Sequence, residues 1–492
     1  MELDWLKRWN LYSPGKVALK DGETGRALTY NQLFQSAVAK AHELRTQYKV
    51  QKGDRIAVLA NNDLEYIVLF FAAQRLGAIL VPVNFRLTYR EVEHIVNDSA
   101  PTLLVYQEAF SDVAAQLFEN KKVTQKALLS SRIPSEERLD ESFLGSPSDP
   151  VMILYTSGTT GAPKGAILNH DMIFWNSINT TMRLNLSEAD CTVIFLPLFH
   201  TGGWNVLTTP VLHRGGTIVL LKKFDGDKIL ELSESEKATI LFGVPTTMDM
   251  MARSPLFKKV DISAIRYAIC GGEPMPIPLI KIWDEKGIPV RQGYGLTEFG
   301  PNVFSLSEND ALRKIGSIGF PNFYIETKVV DNEGKELGAN EIGELVLKGP
   351  MCMAGYWRNE KSTKETIKNG WLHTGDLVRK DEEGFFYVVG RKKDMFISGG
   401  ENVYPPELEQ VIRTLPGVRE VAVIGVPDEK WGEVGKAFVV KERAELSEAD
   451  LHAHCLKNLA KFKIPKFFVF LNELPKGDSG KILKRKLAET AI

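Results

Sequence analysis

Strand-like and helix-like segments alternate along most of this chain, and the alternation limits its fold more than any other feature. Arg55–Leu59 is a short β-branched run, and Asn61–Asp63 can cap the helix that follows to Leu76. Gly77 ends that helix, and Ala78–Val83 is the next strand. Because strand, helix and strand within about 30 residues make a βαβ unit, the sequence predicts an α/β fold of largely parallel sheets covered by helices.

Two changes of pattern divide the chain into predicted parts. From about residue 325 to 389, short strands and turns predict a small β subdomain within a large N-terminal domain of residues 1–390. A compact βα pattern then begins, with a helix start at Pro405 and a capping-box-like start at Ser447. We therefore predict a small α+β C-terminal domain over residues 394–492 and a boundary near residue 390.

Composition excludes several classes of protein. The 61 Lys and Arg residues against 62 Asp and Glu give a net charge of −1, which argues against coating nucleic acid or an anionic membrane. The acidic start Met1–Asp4 lacks the order of a secretory signal, and the apolar run Tyr66–Ala73 is too short to span a bilayer. The four cysteines are scattered without a CxxC pair. We expect a cytoplasmic protein with no transmembrane segment and no nucleic-acid partner.

The segment 155–165, Tyr-Thr-Ser-Gly-Thr-Thr-Gly-Ala-Pro-Lys-Gly, carries the clearest chemical signal. It follows a strand-like run, and eight of its eleven positions are Gly, Ser, Thr or Lys. Glycines let backbone N–H groups converge on an anion, and the hydroxyls and the lysine add donors and positive charge. The spacing is not that of a Walker loop. The segment favours a polyphosphate site, with a flexible surface loop as the alternative.

Five later segments complete an ordered set with this loop: Gly271–Pro274, Tyr294–Glu298, Thr374–Asp376, Gly390–Glu409 and Pro475–Lys481. Together the six motifs resemble, in the same order, the signatures of the adenylate-forming superfamily. That superfamily includes acyl-CoA synthetases, peptide-synthetase adenylation domains and beetle luciferases. The resemblance spans nearly the whole chain, and the segment around residues 396–405 is most similar to bacterial medium- and long-chain fatty-acyl-CoA ligases.

The resemblance implies a reaction in two steps with ATP, Mg²⁺ and coenzyme A. A carboxylate first attacks the α-phosphate of ATP, which gives acyl-adenylate and pyrophosphate, and the acyl group then passes to a thiol. A carboxylic acid is ionised at pH 7, so the first step needs no general base. It needs cations and oriented donors that bring two anions together.

Residue roles in the first step follow from the resemblance. Lys481 would bridge the acyl carboxylate and the α-phosphate, Thr297 would contact the α-phosphate, and Glu298 would bind Mg²⁺. The β- and γ-phosphates are assigned to loop residues: Thr156, Ser157, Gly158, Thr159, Thr160 and Lys164. Taken alone, Lys481 would read as part of an exposed basic helix face.

The resemblance also implies which residues bind the nucleoside part of ATP. The adenine is assigned to the segments that hold Gly272, Glu273, Pro274, Tyr294 and Gly295. Asp376 would accept hydrogen bonds from the ribose hydroxyls, and Arg391 would reach the ribose as well. Individually, a tyrosine is more often core packing and an aspartate after Thr-Gly is more often a turn residue.

The second step implies movement of the small domain. The family rotates this domain about a hinge, which here corresponds to residues 391–393 with Lys393 at its centre. Gly399 and Gly400 would then give the pantetheine arm of coenzyme A a path free of side chains. A few linker residues can absorb the change of backbone angles that such a rotation needs.

The sequence predicts the identity of the carboxylic acid substrate less clearly. Residues 196–204 correspond to the start of the family's acid pocket, and no acidic residue follows until Asp225, which disfavours an α-amino acid. His200 resembles a gate beside the acyl carboxylate, with a structural histidine as the alternative. Trp204, Phe242 and Phe299 would supply an apolar lining without an obvious cation, although such aromatics are more often core. A medium- or long-chain fatty acid is favoured over an aryl or alicyclic acid, and a carrier protein is the alternative acceptor.

Overall fold

The computed structural model of the protein describes residues 2–130, 142–156, 163–443, 445–476 and 482–489. Its α-helices are α1 Trp5–Tyr12, α2 Tyr30–Thr46, α3 Leu64–Leu76, α4 Tyr89–Ser99, α5 Ser111–Glu119, α6 His170–Leu184, α7 Thr208–His213, α8 Gly226–Ser235, α9 Pro245–Arg253, α10 Ile277–Glu285, α11 Glu360–Thr366, α12 Pro405–Arg413, α13 Glu448–Asn458 and α14 Lys484–Glu489. Within the described ranges, no helix has the length and apolarity needed to cross a bilayer.

The strands are short and are distributed over the whole described chain. They are β1 Val17–Asp21, β2 Ala27–Thr29, β3 Arg55–Leu59, β4 Ile79–Pro82, β5 Leu103–Tyr106, β6 Lys126–Leu128, β7 Pro150–Thr156, β8 Lys164–Asn169, β9 Cys191–Ile194, β10 Thr217–Leu220, β11 Ile240–Gly243, β12 Tyr267–Cys270, β13 Val290–Tyr294, β14 Phe304–Ser305, β15 Phe320–Pro321, β16 Glu326–Val330, β17 Ile342–Lys348, β18 Gly355–Tyr356, β19 Ile367–Lys368, β20 Trp371–Lys380, β21 Phe386–Arg391, β22 Phe396–Ser398, β23 Glu401–Val403, β24 Val418–Asp428, β25 Gly432–Lys441 and β26 Phe467–Leu471.

The first predicted βαβ unit is confirmed, and its local signals act as expected. Asp63 caps α3 by accepting a hydrogen bond from the backbone N–H of Glu65. Gly77 ends the helix with φ +65°, a left-handed conformation that favours glycine, and its N–H donates to the carbonyl of Ala73. The flanking strands β3 and β4 are parallel neighbours.

Two large sheets carry most of the secondary structure. The seven-stranded sheet has the order β18-β8-β7-β4-β3-β5-β6, and the nine-stranded sheet has the order β15-β14-β13-β12-β11-β9-β10-β1-β2. Both are parallel in their centre, and antiparallel strands (β8 and β18; β2, β14 and β15) lie toward their ends. One hydrophobic core takes residues from both sheets and from α2 and α3, including Leu33, Val58, Phe70 and Ile218.

By internal contacts the chain divides into two compact units. The first comprises Met1–Glu326 and Leu347–Leu372, and the second comprises Thr327–Val346 and His373–Ile492. In the second unit, β22 to β26 form a sheet, and its core includes Leu408 and Ile412 of α12. The predicted helix start at Pro405 and the capping box at Ser447 are both present. The predicted domain boundary near residue 390 stays a prediction.

Candidate active site

Three neighbouring parallel strands of the nine-stranded sheet, β11, β12 and β13, have their carboxyl ends side by side, and these ends form what we call the carboxyl edge of the sheet. The carboxyl ends of parallel strands are where open α/β sheets bind ligands. Gly272, Glu273 and Pro274 follow β12, and Tyr294 is the last residue of β13, so the structure brings these predicted residues to the same edge. Gly272 has φ +86°, which places it in the left-handed region that favours glycine.

Tyr294 and Gly295 are held by close packing at this edge. The Tyr294 ring is half-buried and meets Phe304 edge to face, with ring centroids 5.8 Å apart. A Cβ atom on Gly295 would lie 1.9 Å from the carbonyl oxygen of Pro301, so no side chain fits there. Glycine is therefore required at 295 by the approach of the following turn, and the adenine-binding role of this pair stays a prediction.

Glu298 lies in a 3₁₀ turn, Thr297–Phe299, directly after these residues. Its Oε1 accepts a hydrogen bond of 2.9 Å from the Tyr356 hydroxyl and lies 3.4 Å from the Thr156 hydroxyl. Thr156 ends β7 and is the register partner of Lys164, which begins β8. The structure therefore brings together Glu298, Thr156 and Lys164. The resemblance assigned the first of these to the metal and the other two to the phosphates. Ser157, Gly158, Thr159, Thr160 and Lys481 lie outside the described residues.

This group of side chains fits Mg²⁺ bound to a nucleotide. Mg²⁺ prefers oxygen ligands and is usually held by one or two carboxylates, with phosphates and water as its other ligands. Glu298 would supply the carboxylate, and Thr156 would supply a hydroxyl next to it. Burial, and then the Glu298 carboxylate, raise the pKa of Tyr356 far above its ordinary value, so its hydroxyl stays protonated and acts as a donor.

Asp376 and Arg391 are joined by an ion pair in the second unit. They are register partners on β20 and β21, and Arg391 Nε lies 2.7 Å from Asp376 Oδ1. The Asp376 side chain is only 6% exposed, whereas that of Arg391 is 44% exposed. The resemblance implies a separate contact with ribose for each residue, whereas in the structure Arg391 already binds one oxygen of the Asp376 carboxylate.

The predicted hinge residue Lys393 is exposed in a turn. The N–H groups of Asp394 and Met395 both donate to the carbonyl of Arg391, at 3.0 and 3.1 Å. The hinge role of Lys393 stays a prediction.

Gly399 and Gly400 form the two-residue turn of the hairpin between β22 and β23. Their φ angles are +60° and +87°, as in the type I′ turns that suit hairpins. A Cβ atom on Gly399 would lie 2.9 Å from the ring of Trp431, whereas one on Gly400 would meet nothing within 4 Å. The turn therefore requires glycine for its backbone, and its predicted role toward pantetheine is untested.

His200 lies before an unusual helical turn. Its ring contacts Phe199 with centroids 4.4 Å apart, and a π-helical turn, Gly202–Val206, follows it. Single π-helical turns occur frequently at functional sites. Trp204 in this turn is wholly buried and packs on Phe70, with ring centroids 4.9 Å apart. Trp204, like the fully buried Phe299, belongs to the protein core, which is the alternative that the sequence left open.

Sequence reasoning missed two residues near the predicted site. Tyr356 follows a glycine and precedes a tryptophan, and no local pattern points to Glu298 as its partner. Arg86 places its guanidinium 5.7 Å from the centroid of the Phe199 ring, which puts a cation beside the predicted acid-pocket segment. Both contacts join residues that are distant in sequence, so neither leaves a local signal.

Comparison with known proteins identifies the family. Residues 6–357 match the family described as AMP-binding enzyme, and residues 407–481 match the family described as AMP-binding enzyme C-terminal domain. The chain belongs to the AMP-binding enzyme family. It is 38% identical to feruloyl-CoA synthase of an Amycolatopsis species, over 98% of this chain and 97% of the relative. It is also 38% identical to the long-chain-fatty-acid–CoA ligase FadD13 of Mycobacterium tuberculosis, over 99% of this chain and 98% of the relative.

A solved structure agrees with these relatives. O-succinylbenzoate coenzyme A synthetase (MenE) of Bacillus subtilis, in complex with ATP and magnesium ion, superposes with a TM-score of 0.88. It is 32% identical, and the match covers 99% of each chain. The predicted superfamily and α/β fold class are confirmed, and so is the reaction class. The protein is an AMP-forming acid–thiol ligase that uses ATP, Mg²⁺ and coenzyme A.

Proposed function

We propose that this ligase converts a medium- or long-chain fatty acid to its acyl-adenylate and then to acyl-CoA, releasing pyrophosphate and AMP. The observation that carries the proposal is the lack of any acidic side chain in residues 196–204, where the Phe199 ring contacts His200. An acidic side chain there could pair with an amino group, whereas Leu198 and Phe199, which precede His200, are apolar. An apolar wall accepts an alkyl chain and rejects a charged substituent because of the cost of desolvating it.

The first step is an attack by one anion on another, so positive charge and donors must converge on the phosphates. In this proposal Glu298 and Thr156 hold Mg²⁺, which supplies positive charge to the phosphates. Lys164 brings its ammonium group to the outer phosphates, and Lys481 brings a second one to the acyl carboxylate and α-phosphate. Removing one such preorganised group typically costs about 10²–10³-fold in rate.

The remaining assignments follow the same reasoning. Tyr294, with Gly272, Glu273 and Pro274 beside it, would hold the adenine at the carboxyl edge of the sheet. The half-exposed Arg391 and its partner Asp376 would bind the ribose together, with Arg391 also fixing the carboxylate. Gly399 and Gly400 would admit the pantetheine arm in the second step, after rotation about Lys393. His200 would flank the carboxylate of the acid.

An aryl acid is the second candidate substrate. The relative named feruloyl-CoA synthase has the same identity to this chain as the fatty-acid ligase. Arg86 also lies beside the paired rings of Phe85 and Phe199, where it could meet a polar substituent of an aromatic acid. The fatty acid is preferred because Leu198 and Phe199, which precede His200, are apolar and no acidic residue lies in residues 196–204.

The test is pyrophosphate release with ATP and Mg²⁺ across a panel of acids, with and without coenzyme A. The panel runs from butyrate to stearate and adds benzoate, cinnamate, ferulate, 2-succinylbenzoate and several amino acids, with Lys481→Ala as the inactive control. A signal that coenzyme A stimulates and that peaks between octanoate and palmitate supports the proposal. Activity with aryl acids alone refutes it in favour of the second candidate, and adenylation without transfer to coenzyme A indicates a carrier-protein acceptor.

A further inference from the structure

The short segment 353–357 connects two parts of the candidate site through its backbone. The N–H of Trp357 donates at 2.7 Å to the carbonyl of Gly165, the last residue of the predicted phosphate-binding segment 155–165. At the other end of the segment, the N–H of Met353 donates to the carbonyl of Glu298 at 2.9 Å. Between these bonds lies β18, which pairs with β8. One strand thus fixes the base of the phosphate loop relative to the backbone of Glu298.

The side chain of Tyr356 repeats this connection. Its hydroxyl donates to Glu298 Oε1 at 2.9 Å, and the ammonium nitrogen of Lys164 lies 5.5 Å from the centroid of its ring. The position of the tyrosine is itself fixed, because its backbone N–H donates to the Thr363 hydroxyl of α11 at 2.9 Å. Tyr356 therefore touches both the predicted metal ligand and the predicted phosphate-binding lysine.

We propose that Tyr356 is a positioning residue that orients the Glu298 carboxylate for the metal–nucleotide complex. A hydroxyl donor is suited to this task because it fixes one carboxylate oxygen without neutralising the charge that attracts the metal. Within the residues that the structure describes, Glu298 Oε2 makes no hydrogen bond or ion pair, so it is left for a cation. Ligating carboxylates commonly have such partners, whose loss weakens metal binding by about 10–100-fold. The inference rests on the proposed role of Glu298.

The alternative is that Tyr356 only packs against the core, and conservative variants separate the two roles. Tyr356→Phe keeps the ring and its contact with Lys164 and removes only the hydroxyl. Tyr387→Phe is a matched control in the second unit. The Tyr387 hydroxyl lies 3.2 Å from Asp381 Oδ2, and the guanidinium of Arg379 lies 4.3 Å from the centroid of its ring. Each substitution removes one hydrogen bond from a tyrosine hydroxyl to a carboxylate. Each also keeps an aromatic ring that lies next to a cationic side chain.

The experiment measures binding of Mn²⁺, as a probe for Mg²⁺, by electron paramagnetic resonance in the presence of a non-hydrolysable ATP analogue. We expect the Mn²⁺ dissociation constant of Tyr356→Phe to rise about tenfold, while that of Tyr387→Phe equals wild type. Thermal unfolding of both variants checks that the fold is kept. Glu298→Gln, alone and combined with Tyr356→Phe, completes a double-mutant cycle. If Tyr356 acts through Glu298, the second substitution adds no further loss.

Each outcome decides the inference. Unchanged Mn²⁺ affinity in Tyr356→Phe overturns it, as does an equal loss in both tyrosine variants or a fully additive loss in the double variant. Because the binding assay contains no acid, a wild-type chain that binds the metal and nucleotide but activates no fatty acid refutes only the proposed substrate. A wild-type chain that binds no Mn²⁺ with the analogue overturns both proposals.

Discussion

The pH dependence of stability can be predicted from His213, a half-buried residue at the end of α7. Its ring stacks on Trp5 of α1 with centroids 3.9 Å apart, and its Nδ1 lies 2.7 Å from the Ser177 hydroxyl of α6. Burial, and then the charge of Arg214, lower the pKa of His213 to about 4. The folded chain therefore keeps this imidazole neutral well below pH 6.

The sign and size of the effect follow from proton linkage. An exposed histidine has a pKa of about 6.5. Between about pH 4 and 6.5 the unfolded chain binds more protons at this residue than the folded chain does, so the unfolding free energy falls as the pH falls. For these two pKa values, lowering the pH from 7 to 5 removes about 2 kcal/mol. The penalty is nearly absent at pH 7.

Urea unfolding followed by tryptophan fluorescence at pH 5, 6 and 7 measures this loss. His213→Phe keeps an aromatic ring against Trp5 but cannot titrate, so its stability should depend on pH less than that of wild type by about 2 kcal/mol over this range. Ser177→Ala is the control, because it removes the hydrogen bond and keeps the imidazole. His170, whose pKa burial also lowers to about 4, titrates in all three proteins and cancels in the comparison. A His213→Phe variant with the full wild-type pH dependence would refute the reasoning.

Three further predictions concern the backbone, a buried ion pair and the hinge. Gly295→Ala should lower the unfolding free energy by about 1–3 kcal/mol, since its Cβ would lie 1.9 Å from the Pro301 carbonyl oxygen; an unchanged melting temperature would contradict this. Arg75 Nη1 lies 2.6 Å from Asp4 Oδ2 in a buried ion pair. Arg75→Met should lower the unfolding free energy in urea by about 3–5 kcal/mol, because it leaves the Asp4 carboxylate buried without its partner. Adding Asp4→Leu should restore most of that loss, and no recovery would argue against the ion pair. Lys393→Pro should impair thioester formation more than adenylation, because proline fixes the φ angle at the predicted hinge; equal loss in the two half-reactions would exclude it.

Features that depend on neighbouring residues could be predicted from the sequence. The cap at Asp63, the left-handed stop at Gly77 and the capping box at Ser447 each act within one helical turn, so their signals are local. The parallel strands at the centre of both large sheets could be predicted from the alternation of strand-like and helix-like segments along the chain. The order of six motifs was enough to predict the family, because each motif holds its residues at a fixed spacing.

Features that depend on distant segments could not be predicted. The bond between Tyr356 and Glu298 requires β18 to join the end of the seven-stranded sheet, and nothing in the local pattern of either segment specifies that pairing. Arg86 meets Phe199 only because separate loops approach one another. The aromatic Trp204 was ambiguous for a related reason, since a pocket wall and a core have the same hydrophobic composition.

The place of β18 at the end of its sheet has a consequence for the synthesis of the protein. Its partner β8 ends at Asn169, so the ribosome must add about 190 more residues before Gly355 and Tyr356 are available, which takes about 10–40 s at ordinary rates of translation. During that interval β8 is an open strand edge, and open edges pair readily with other chains. The two residues that complete the seven-stranded sheet therefore also cover the β8 edge at which a nascent chain could pair with another copy.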